Sequence, residues 1–150
     1  MALKEQINND LKAALLGGNR FSTEVLRGLK ATILNEEVAQ SKRDEGLDDS
    51  TIEQLIVREV KKRKESAIIY DGASRPELSE KERNEAQILS GYLPKQLSEA
   101  EITTVVTRVI NELGATSLSA MGQVIGAVKK ELGNTADGAL IAQLVKNALN

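Results

Sequence analysis

Residues 97–114 read LSEAEITTVVTRVINELG, and this stretch specifies the fold more fully than any other part of the chain. Ser98 and Glu101 have the Ser-x-x-Glu spacing of a capping box, and Leu97 precedes Ile102 as in a hydrophobic staple. Gly114 is the kind of residue that ends helices. Between these signals, apolar residues recur at the spacing of one helix face: Ile102, Val105, Val106, Val109, Ile110 and Leu113. The segment is therefore predicted to be an amphipathic helix.

The same three-and-four spacing of apolar residues runs through most of the chain, and no segment alternates with period two for long enough to form a strand. We predict seven helices, near residues 3–16, 22–38, 48–70, 77–91, 98–113, 118–132 and 138–149. The third has a clear start, because Asp48 suits an N-cap and Leu47 and Ile52 are spaced as a staple. The predicted fold class is all-α.

Three of these helices show which side chains should form the core. The predicted buried residues are Leu3, Ile7, Leu11, Ala14 and Leu15 in the first helix, Leu118, Met121, Ile125, Val128 and Leu132 in the sixth, and Leu140, Ile141, Leu144, Val145 and Ala148 in the seventh. These positions repeat at the spacing of one helix face, so each helix is expected to bury one side.

The segment Tyr92-Leu93-Pro94 interrupts the helical pattern, because Pro94 disfavours helical backbone at Leu93 and has no N–H to donate. We therefore predict a domain boundary there. A four-helix N-terminal domain, residues 1–94, would be followed by a small three-helix C-terminal domain, residues 95–150. The polar loop at residues 41–46 is predicted to be mobile.

The composition excludes several kinds of chemistry. The chain has no cysteine and no histidine, which rules out disulfides, thiolate nucleophiles, Cys/His zinc sites, Ser-His triads and imidazole acid-base catalysis. No catalytic residues, metal or cofactor are predicted. Aromatic residues make up only 2 % of the chain and the net charge is −2, so base stacking and a global positive field are both lacking. Any contact with RNA would have to be local.

The beginning of the chain, Met1-Ala2-Leu3-Lys4-Glu5, becomes charged at once. Its longest uncharged apolar run, residues 13–16, is too short for the apolar region of a signal peptide or for a membrane span. We therefore expect a cytoplasmic protein that does not enter a membrane.

Two glycines and an aspartate in the last thirty residues have competing interpretations. Gly122 and Gly126 lie four apart on one helix, and each costs about 1 kcal/mol of helix propensity relative to alanine. Either a neighbouring helix backbone approaches closely there, which is favoured, or the bare face is open for a ligand phosphate or ribose. Asp137 before Gly138 is interpreted as an N-cap whose carboxylate accepts a backbone N–H from the first helical turn, contributing about 0.5–2 kcal/mol.

The only concentrated basic run is Lys61-Lys62-Arg63-Lys64. Four consecutive residues spread around a helix, but Arg58, Lys61 and Lys62 share a face. A solvated surface is favoured over a phosphate-contacting site. Glu59 and Arg63 have the spacing of an ion pair at a helix–helix seam.

Acidic residues cluster on the fourth predicted helix, at Glu80, Glu82 and Glu85. Hard cations bind such carboxylates, but the loop geometry of calcium sites is missing here. We therefore interpret the cluster as a solvated acidic face.

A family resemblance is distributed along nearly the whole chain. Its elements are Leu26-Arg27-Gly28-Leu29-Lys30-Ala31, Arg58-Glu59-Val60-Lys61-Lys62-Arg63, Tyr92-Leu93-Pro94 with Gln96-Leu97-Ser98, Met121-Gly122, and Ala136-Asp137-Gly138-Ala139-Leu140. In this order and spacing the chain resembles the GatB/YqeY family: the freestanding YqeY-like proteins and the helical and tail domains of the GatB subunit of tRNA-dependent amidotransferases. The resemblance implies an N-terminal helical domain and a three-helix tail.

The resemblance also implies a function. In GatB the corresponding domains lie outside the catalytic cradle and help to hold the tRNA, so the leading hypothesis is a tRNA-binding or tRNA-amidotransferase-associated accessory module. Its partner would be tRNA or a tRNA-processing protein. The family label is a carbon–nitrogen ligase with glutamine as amido-nitrogen donor, an activity that we expect to lie outside this chain because it lacks a Gly-x-x-x-x-Gly-Lys loop and an amidase nucleophile set. The candidate tRNA contacts are Arg58, Lys61, Lys62, Lys129 and Lys130.

Two other hypotheses remain open. The chain could be a protein–protein interaction adaptor that uses the face with Gly122 and Gly126 and has no role with RNA. An enzyme in its own right is the least favoured, since no residue set combines a nucleophile with its base. The sequence does not choose the partner or the oligomeric state.

Overall fold

The computed structural model describes residues 3–150, and within that range the chain forms seven α-helices and no strand. The helices are α1 (Leu3–Leu16), α2 (Arg20–Ala39), α3 (Asp49–Gly72), α4 (Pro76–Ser90), α5 (Glu99–Leu113), α6 (Met121–Leu132) and α7 (Gly138–Leu149). Two short 3-10 turns, Leu118–Ala120 and Gly133–Thr135, precede and follow α6. The all-α prediction is confirmed.

The helices fall into two compact units, one ending at Leu93 and the other comprising Pro94–Asn150. In the first unit, α3 and α4 form a long helical hairpin, and α1 packs on α2. Its core is built from aliphatic side chains of all four helices and of the segment before α3: Leu3, Ile7, Leu11, Val25, Leu26, Leu29, Ile33, Leu47, Ile52, Leu55, Ile56, Val60, Ala86 and Leu89.

In the second unit each of α5, α6 and α7 contacts the other two. The buried core is small and mostly β-branched: Ile102, Val106, Val109, Val124, Val128, Ala136, Ile141 and Val145. Val124 is completely buried, although it is not among the residues predicted to be buried in the sixth helix. It lies four residues before Val128 and so belongs to the same stripe.

Several residues predicted to be buried are exposed instead. They are Leu15, Leu113, Leu118 and Ala148. Three of them stand in the last turn of α1, α5 or α7, and the fourth is in the 3-10 turn before α6. The periodic pattern of apolar residues predicts which face of a helix is buried. It does not predict where along that face the cover by other helices ends.

Two of the three predicted N-caps, Ser98 and Asp48, form in the structure. Glu101 N–H donates to Ser98 Oγ at 3.2 Å and Ser98 N–H donates to Glu101 Oε1 at 3.3 Å, which confirms the capping box. Thr51 N–H donates to Asp48 at 2.8 Å, and this bonding to Thr51 lowers the pKa of the Asp48 carboxyl. Asn19 accepts from Ser22 N–H, so α2 begins two residues earlier than predicted.

Asp137 is the exception. It occupies the N-cap position of α7 with extended backbone, but its carboxylate accepts no hydrogen bond from the helix. The predicted cap bond is therefore wrong, although the predicted start of the helix is right. A side-chain cap bond requires a suitable rotamer as well as a suitable residue type.

Candidate nucleic-acid interface

Two of the candidate tRNA contacts lie in a groove between α2 and α3. Arg58 and Lys62, four residues apart on α3, line it together with Glu59 and Leu55. The facing residues of α2 are Thr32, Asn35 and Glu36, and the groove has a volume of about 350 Å³. Packing of α2 against α3 thus places two cations beside the Asn35 amide, all of which can donate hydrogen bonds to phosphate oxygens, whereas the Thr32 hydroxyl already donates to the Gly28 carbonyl at 3.1 Å.

Some charged side chains of this groove have ion-pair or hydrogen-bond partners within the protein, and others do not. Glu59 accepts from Arg63 Nη1 at 2.7 Å, and Glu36 accepts from Gln40 Nε2 at 2.6 Å. Lys62 Nζ is 3.7 Å from Glu59, but its side chain is 72 % exposed and the pair is correspondingly weak. Arg58 forms no ion pair with any residue in 3–150. It is the cation in the groove whose charge is least compensated.

The other predicted cations are not in this groove. Lys61 is exposed on α3 and is not among the groove residues. Lys129 and Lys130 lie in the last turn of α6, where a positive charge interacts favourably with the helix dipole. A Cβ at Gly138 would stand only 3.1 Å from Lys129 Cε and 3.3 Å from its Nζ. The end of the lysine side chain therefore lies close to Gly138 at the start of α7.

The predicted ion pair on α3 is part of a larger network. Arg63 Nη1 is 2.7 Å from Glu59 Oε2, which confirms the pair, and Arg63 Nε donates to Glu85 Oε2 on α4 at 3.1 Å. All three side chains are half-buried. Glu85 therefore belongs to a helix–helix contact and not to the solvated acidic face predicted from Glu80, Glu82 and Glu85. Within residues 3–150 no group of three acidic side chains is arranged to hold a metal ion.

The face with Gly122 and Gly126 is open. A Cβ built on either glycine would meet no atom within 4 Å, and both residues are exposed. The favoured interpretation, a close approach by a neighbouring helix backbone, is wrong. The alternative, a bare face of α6, describes the structure.

Several residues of the family motifs around the junction of the two units make packing or hydrogen-bond contacts within their own unit. The Tyr92 hydroxyl donates to Asp10 at 2.6 Å, and burial, followed by this bond, raises the pKa of the phenol above its usual value. Leu93 packs on the core of the first unit. In the second unit the Leu97 N–H donates to the Thr135 carbonyl at 2.8 Å, and Ala136, the residue after Thr135, is buried.

Sequence reasoning missed one buried charge. Glu37 on α2 is only 2 % exposed and accepts from Lys4 Nζ at 2.7 Å and from the Leu47 N–H at 3.3 Å. Its partners are 33 and 10 residues away, so no local spacing pattern could have indicated them.

Among the described helices, none is both long enough and apolar enough to cross a membrane.

Several curated proteins resemble this chain. The protein named "Altered inheritance of mitochondria protein 41, mitochondrial" from Kluyveromyces lactis is 29 % identical over 81 % of this chain and 66 % of its own length. Its namesake from Lachancea thermotolerans is 30 % identical over 71 % of this chain and 57 % of its own length. A third, from Pyrenophora tritici-repentis, is 26 % identical over 96 % of this chain and 79 % of its own length. The chain thus spans about two thirds or less of the first two relatives.

These relatives overturn the prediction of a cytoplasmic protein, because each of them is named as mitochondrial. That prediction came from the charge and short apolar run at the start of the sequence. The place where this sequence begins does not determine the compartment of the protein.

The family assignment rests on almost the entire chain. The family model described as "Yqey-like protein" matches residues 4–149, which include all seven helices apart from the first residue of α1. The chain belongs to the YqeY-like protein family.

Proposed function

We propose that this chain is a tRNA-binding accessory module, comparable in role to the tail of the GatB subunit of tRNA-dependent amidotransferases. The observation that supports the proposal best is the groove between α2 and α3, where Arg58 lies beside Thr32 and Asn35. A guanidinium can bind a phosphate through two parallel hydrogen bonds, and the Asn35 amide adds further donors. Lys62 supplies a second, mobile cation at the same groove.

The proposal assigns binding to this chain and catalysis to another. The resemblance to GatB implies a glutamine-dependent carbon–nitrogen ligase only at the level of a whole complex. With neither cysteine nor histidine, this chain lacks the side chains of many acyl-transfer mechanisms. A tRNA-processing partner would supply the reaction.

Binding of this kind should be weak and sensitive to salt. Two or three cations neutralise two or three phosphates, so log K should fall with log salt with a slope of about −2, given roughly 0.7 to 0.9 per neutralised phosphate. The acidic balance of the chain, net charge −2, adds no long-range attraction. Contacts therefore have to be tested at low ionic strength.

The test is a fluorescence-anisotropy titration of labelled bulk tRNA at about 50 mM salt, where the screening length exceeds that at physiological salt. Wild type is compared with Arg58→Glu/Lys62→Glu and with the matched variant Lys64→Glu/Lys81→Glu, which makes the same charge change at exposed positions of α3 and α4 that are neither in the groove nor among the candidate contacts. We expect the groove variant to lose most of the binding and the matched variant to keep most of it. Reversal at Arg58, Lys61 and Lys62 together should abolish the remainder. The helical circular-dichroism signal should be unchanged throughout.

Two results would contradict the proposal. No binding by wild type at low salt would remove tRNA as a partner. Equal losses in the groove variant and its matched control would show that overall charge, and not this groove, governs the interaction.

A protein–protein interaction adaptor is the second candidate function. The open face of α6 at Gly122 and Gly126 favours it, because two exposed glycines leave room for a partner's side chains or backbone. Gly122→Gln/Gly126→Gln would fill this face while raising helix propensity. A partner that binds there should be lost without any loss of thermal stability.

A further inference from the structure

Among the described residues, the groove between α2 and α3 contains carboxylates as well as cations. Arg58 and Lys62 line it, but so do Glu36 and Glu59. A phosphate that enters the groove meets a positive field only where other partners neutralise these carboxylates. Glu59 bears most directly on this balance, because it lies on the same helix as both cations and its Oε1 is 3.7 Å from Lys62 Nζ.

A cation outside the groove holds Glu59. Arg63 is not one of the residues that line the groove, yet its Nη1 is 2.7 Å from Glu59 Oε2 and 3.2 Å from the Glu59 carbonyl oxygen. Only 20 % of the Arg63 side chain and 16 % of the Glu59 side chain are exposed. The Lys62 side chain is 72 % exposed, so water screens its attraction to Glu59 more strongly. Arg63 is therefore the principal partner of Glu59.

Arg63 is itself fixed by the neighbouring helix. Its Nε donates to Glu85 Oε2 on α4 at 3.1 Å, and the Glu85 side chain is 19 % exposed. A guanidinium bonded at both Nε and Nη1 is held in one orientation by its planar geometry. The Arg63 side chain therefore belongs to the contact between α3 and α4 and can influence the groove only through Glu59.

Without Arg63, the Glu59 carboxylate would turn to Lys62. Within residues 3–150 these are the two cations with which Glu59 forms ion pairs. Lys62 is three residues after Glu59 on α3, a spacing at which helix side chains meet. A closer pair would neutralise one of the two groove cations and would place a carboxylate beside an incoming phosphate.

We propose that Arg63 is a positioning residue for the groove: it holds the Glu59 carboxylate in the contact between α3 and α4 and so leaves Lys62 free to meet phosphate. This role rests on the proposed function, because it takes the phosphates of tRNA as the occupant of the groove. Through Glu85, the affinity of the groove for phosphate then depends on the packing of α4, a helix that does not line it.

The test is a double-mutant cycle of Arg63→Gln, Glu59→Gln and the double variant Glu59→Gln/Arg63→Gln, each titrated with labelled bulk tRNA at about 50 mM salt. Arg83→Gln is the matched control. It removes the same charge from another ion pair between α3 and α4, that with Asp71, outside the groove. The helical circular-dichroism signal of every variant is recorded.

Arg63→Gln should weaken tRNA binding about fivefold, since a unit charge about 4 Å from a phosphate is worth roughly 1 kcal/mol in water. Its salt slope should be shallower by one phosphate, or roughly 0.7 to 0.9. Glu59→Gln and the double variant should bind equally, and at least as tightly as wild type, because Arg63 stays paired with Glu85 once Glu59 is neutral. Arg83→Gln should bind like wild type.

A second measurement does not involve tRNA. The rate at which Lys62 is acetylated by an N-hydroxysuccinimide ester is determined by mass spectrometry, relative to Lys64, an exposed lysine of the same helix. An ammonium that is paired with a carboxylate reacts more slowly, because the amine must lose its proton before it attacks. The relative rate should fall in Arg63→Gln and should return at least to the wild-type value in the double variant.

Unchanged Lys62 reactivity in a folded Arg63→Gln variant would overturn the proposed role, whatever the tRNA result. Binding of tRNA by the double variant as weak as that by Arg63→Gln would also overturn it, because Arg63 would then act without Glu59. If Arg63→Gln lost its helical signal, unequal affinities of Glu59→Gln and the double variant would overturn the role and equal affinities would support it. No binding of tRNA by wild type, together with the expected change in Lys62 reactivity, would contradict the proposed function and support the hold of Arg63 on Glu59.

Discussion

At the scale of single residues, the residue type at an N-cap position predicts the cap hydrogen bond in some helices but not in all. Ser98, Asp48 and Asn19 each accept a backbone N–H, as their residue types favour. Asp137 has the same favourable type and position but makes no such bond. Next to it, Gly138 lies against the Lys129 side chain. The α7 helix therefore begins at Gly138 without a side-chain cap bond.

This difference predicts unequal costs for two similar substitutions. Ser98→Ala should destabilise the second unit by about 1 kcal/mol, because it removes a formed cap bond. Asp137→Ala should cost less than half as much, since only the weak interaction of the carboxylate with the helix dipole is lost. Thermal unfolding followed by circular dichroism would measure both, with about 4 to 8 °C expected per kcal/mol for a unit of this size. An equal cost for the two variants would mean that Asp137 caps α7 in solution.

At the scale of elements, local sequence patterns predict the helices, but they do not predict polar contacts between residues that are far apart in the sequence. The capping box at Ser98 and the ion pair between Glu59 and Arg63 were predictable because their partners are three or four residues apart. The contact from Arg63 to Glu85 joins residues 22 apart and could not be found without the packing of α3 on α4. The candidate site follows the same rule. Spacing put Arg58 and Lys62 on one face, but only the position of α2 shows that Asn35 lies beside them.

An ion pair between Asp71 and Arg83 joins α3 to α4 near the turn of their hairpin, and its contribution to stability should depend on pH. Arg83 on α4 donates to both carboxylate oxygens of Asp71 at 2.5 and 3.3 Å, and it also bonds to the buried Ser79. The hydrogen bonding of the Asp71 carboxylate with Arg83, and secondly with the Ser79 hydroxyl, lowers the pKa of Asp71 to about 2 from 3.8.

Because the folded pKa of Asp71 is below its unfolded value, its contribution to stability is complete above about pH 4 and is lost as the pH falls towards 2. Asp71→Asn should therefore be less stable than wild type at pH 6, and the difference should shrink steadily as the pH falls from about 4 through 2. Urea denaturation at a series of pH values would measure this. Arg83→Gln, which removes the cause of the shift, should flatten the pH dependence in the same way. If the free energies of unfolding of wild type and Asp71→Asn differed by the same amount at every pH, the stabilising role of the Asp71–Arg83 ion pair would be contradicted.

At the scale of the whole molecule, we propose that the two compact units fold as separate domains. The chain is held firmly on both sides of their junction. Tyr92 is bonded to Asp10 within the first unit, and Leu97 is bonded to Thr135 within the second. Lys95, between these two anchors, is exposed. The junction is thus short and accessible, and it carries a residue that trypsin recognises.

Limited tryptic digestion should therefore cut first after Lys95 or in the loop at residues 41–46, which offers Lys42 and Arg43. Cleavage after Lys95 should leave two fragments that each keep a helical circular-dichroism signal, since each contains a complete hydrophobic core. Lys95→Gln should remove that cut and leave the loop cuts in place. The smaller fragment, with a core of few and small side chains, should unfold at the lower temperature. First cleavage after Arg108, within α5, would mean that the second unit opens before the junction does and would contradict two separately folded domains.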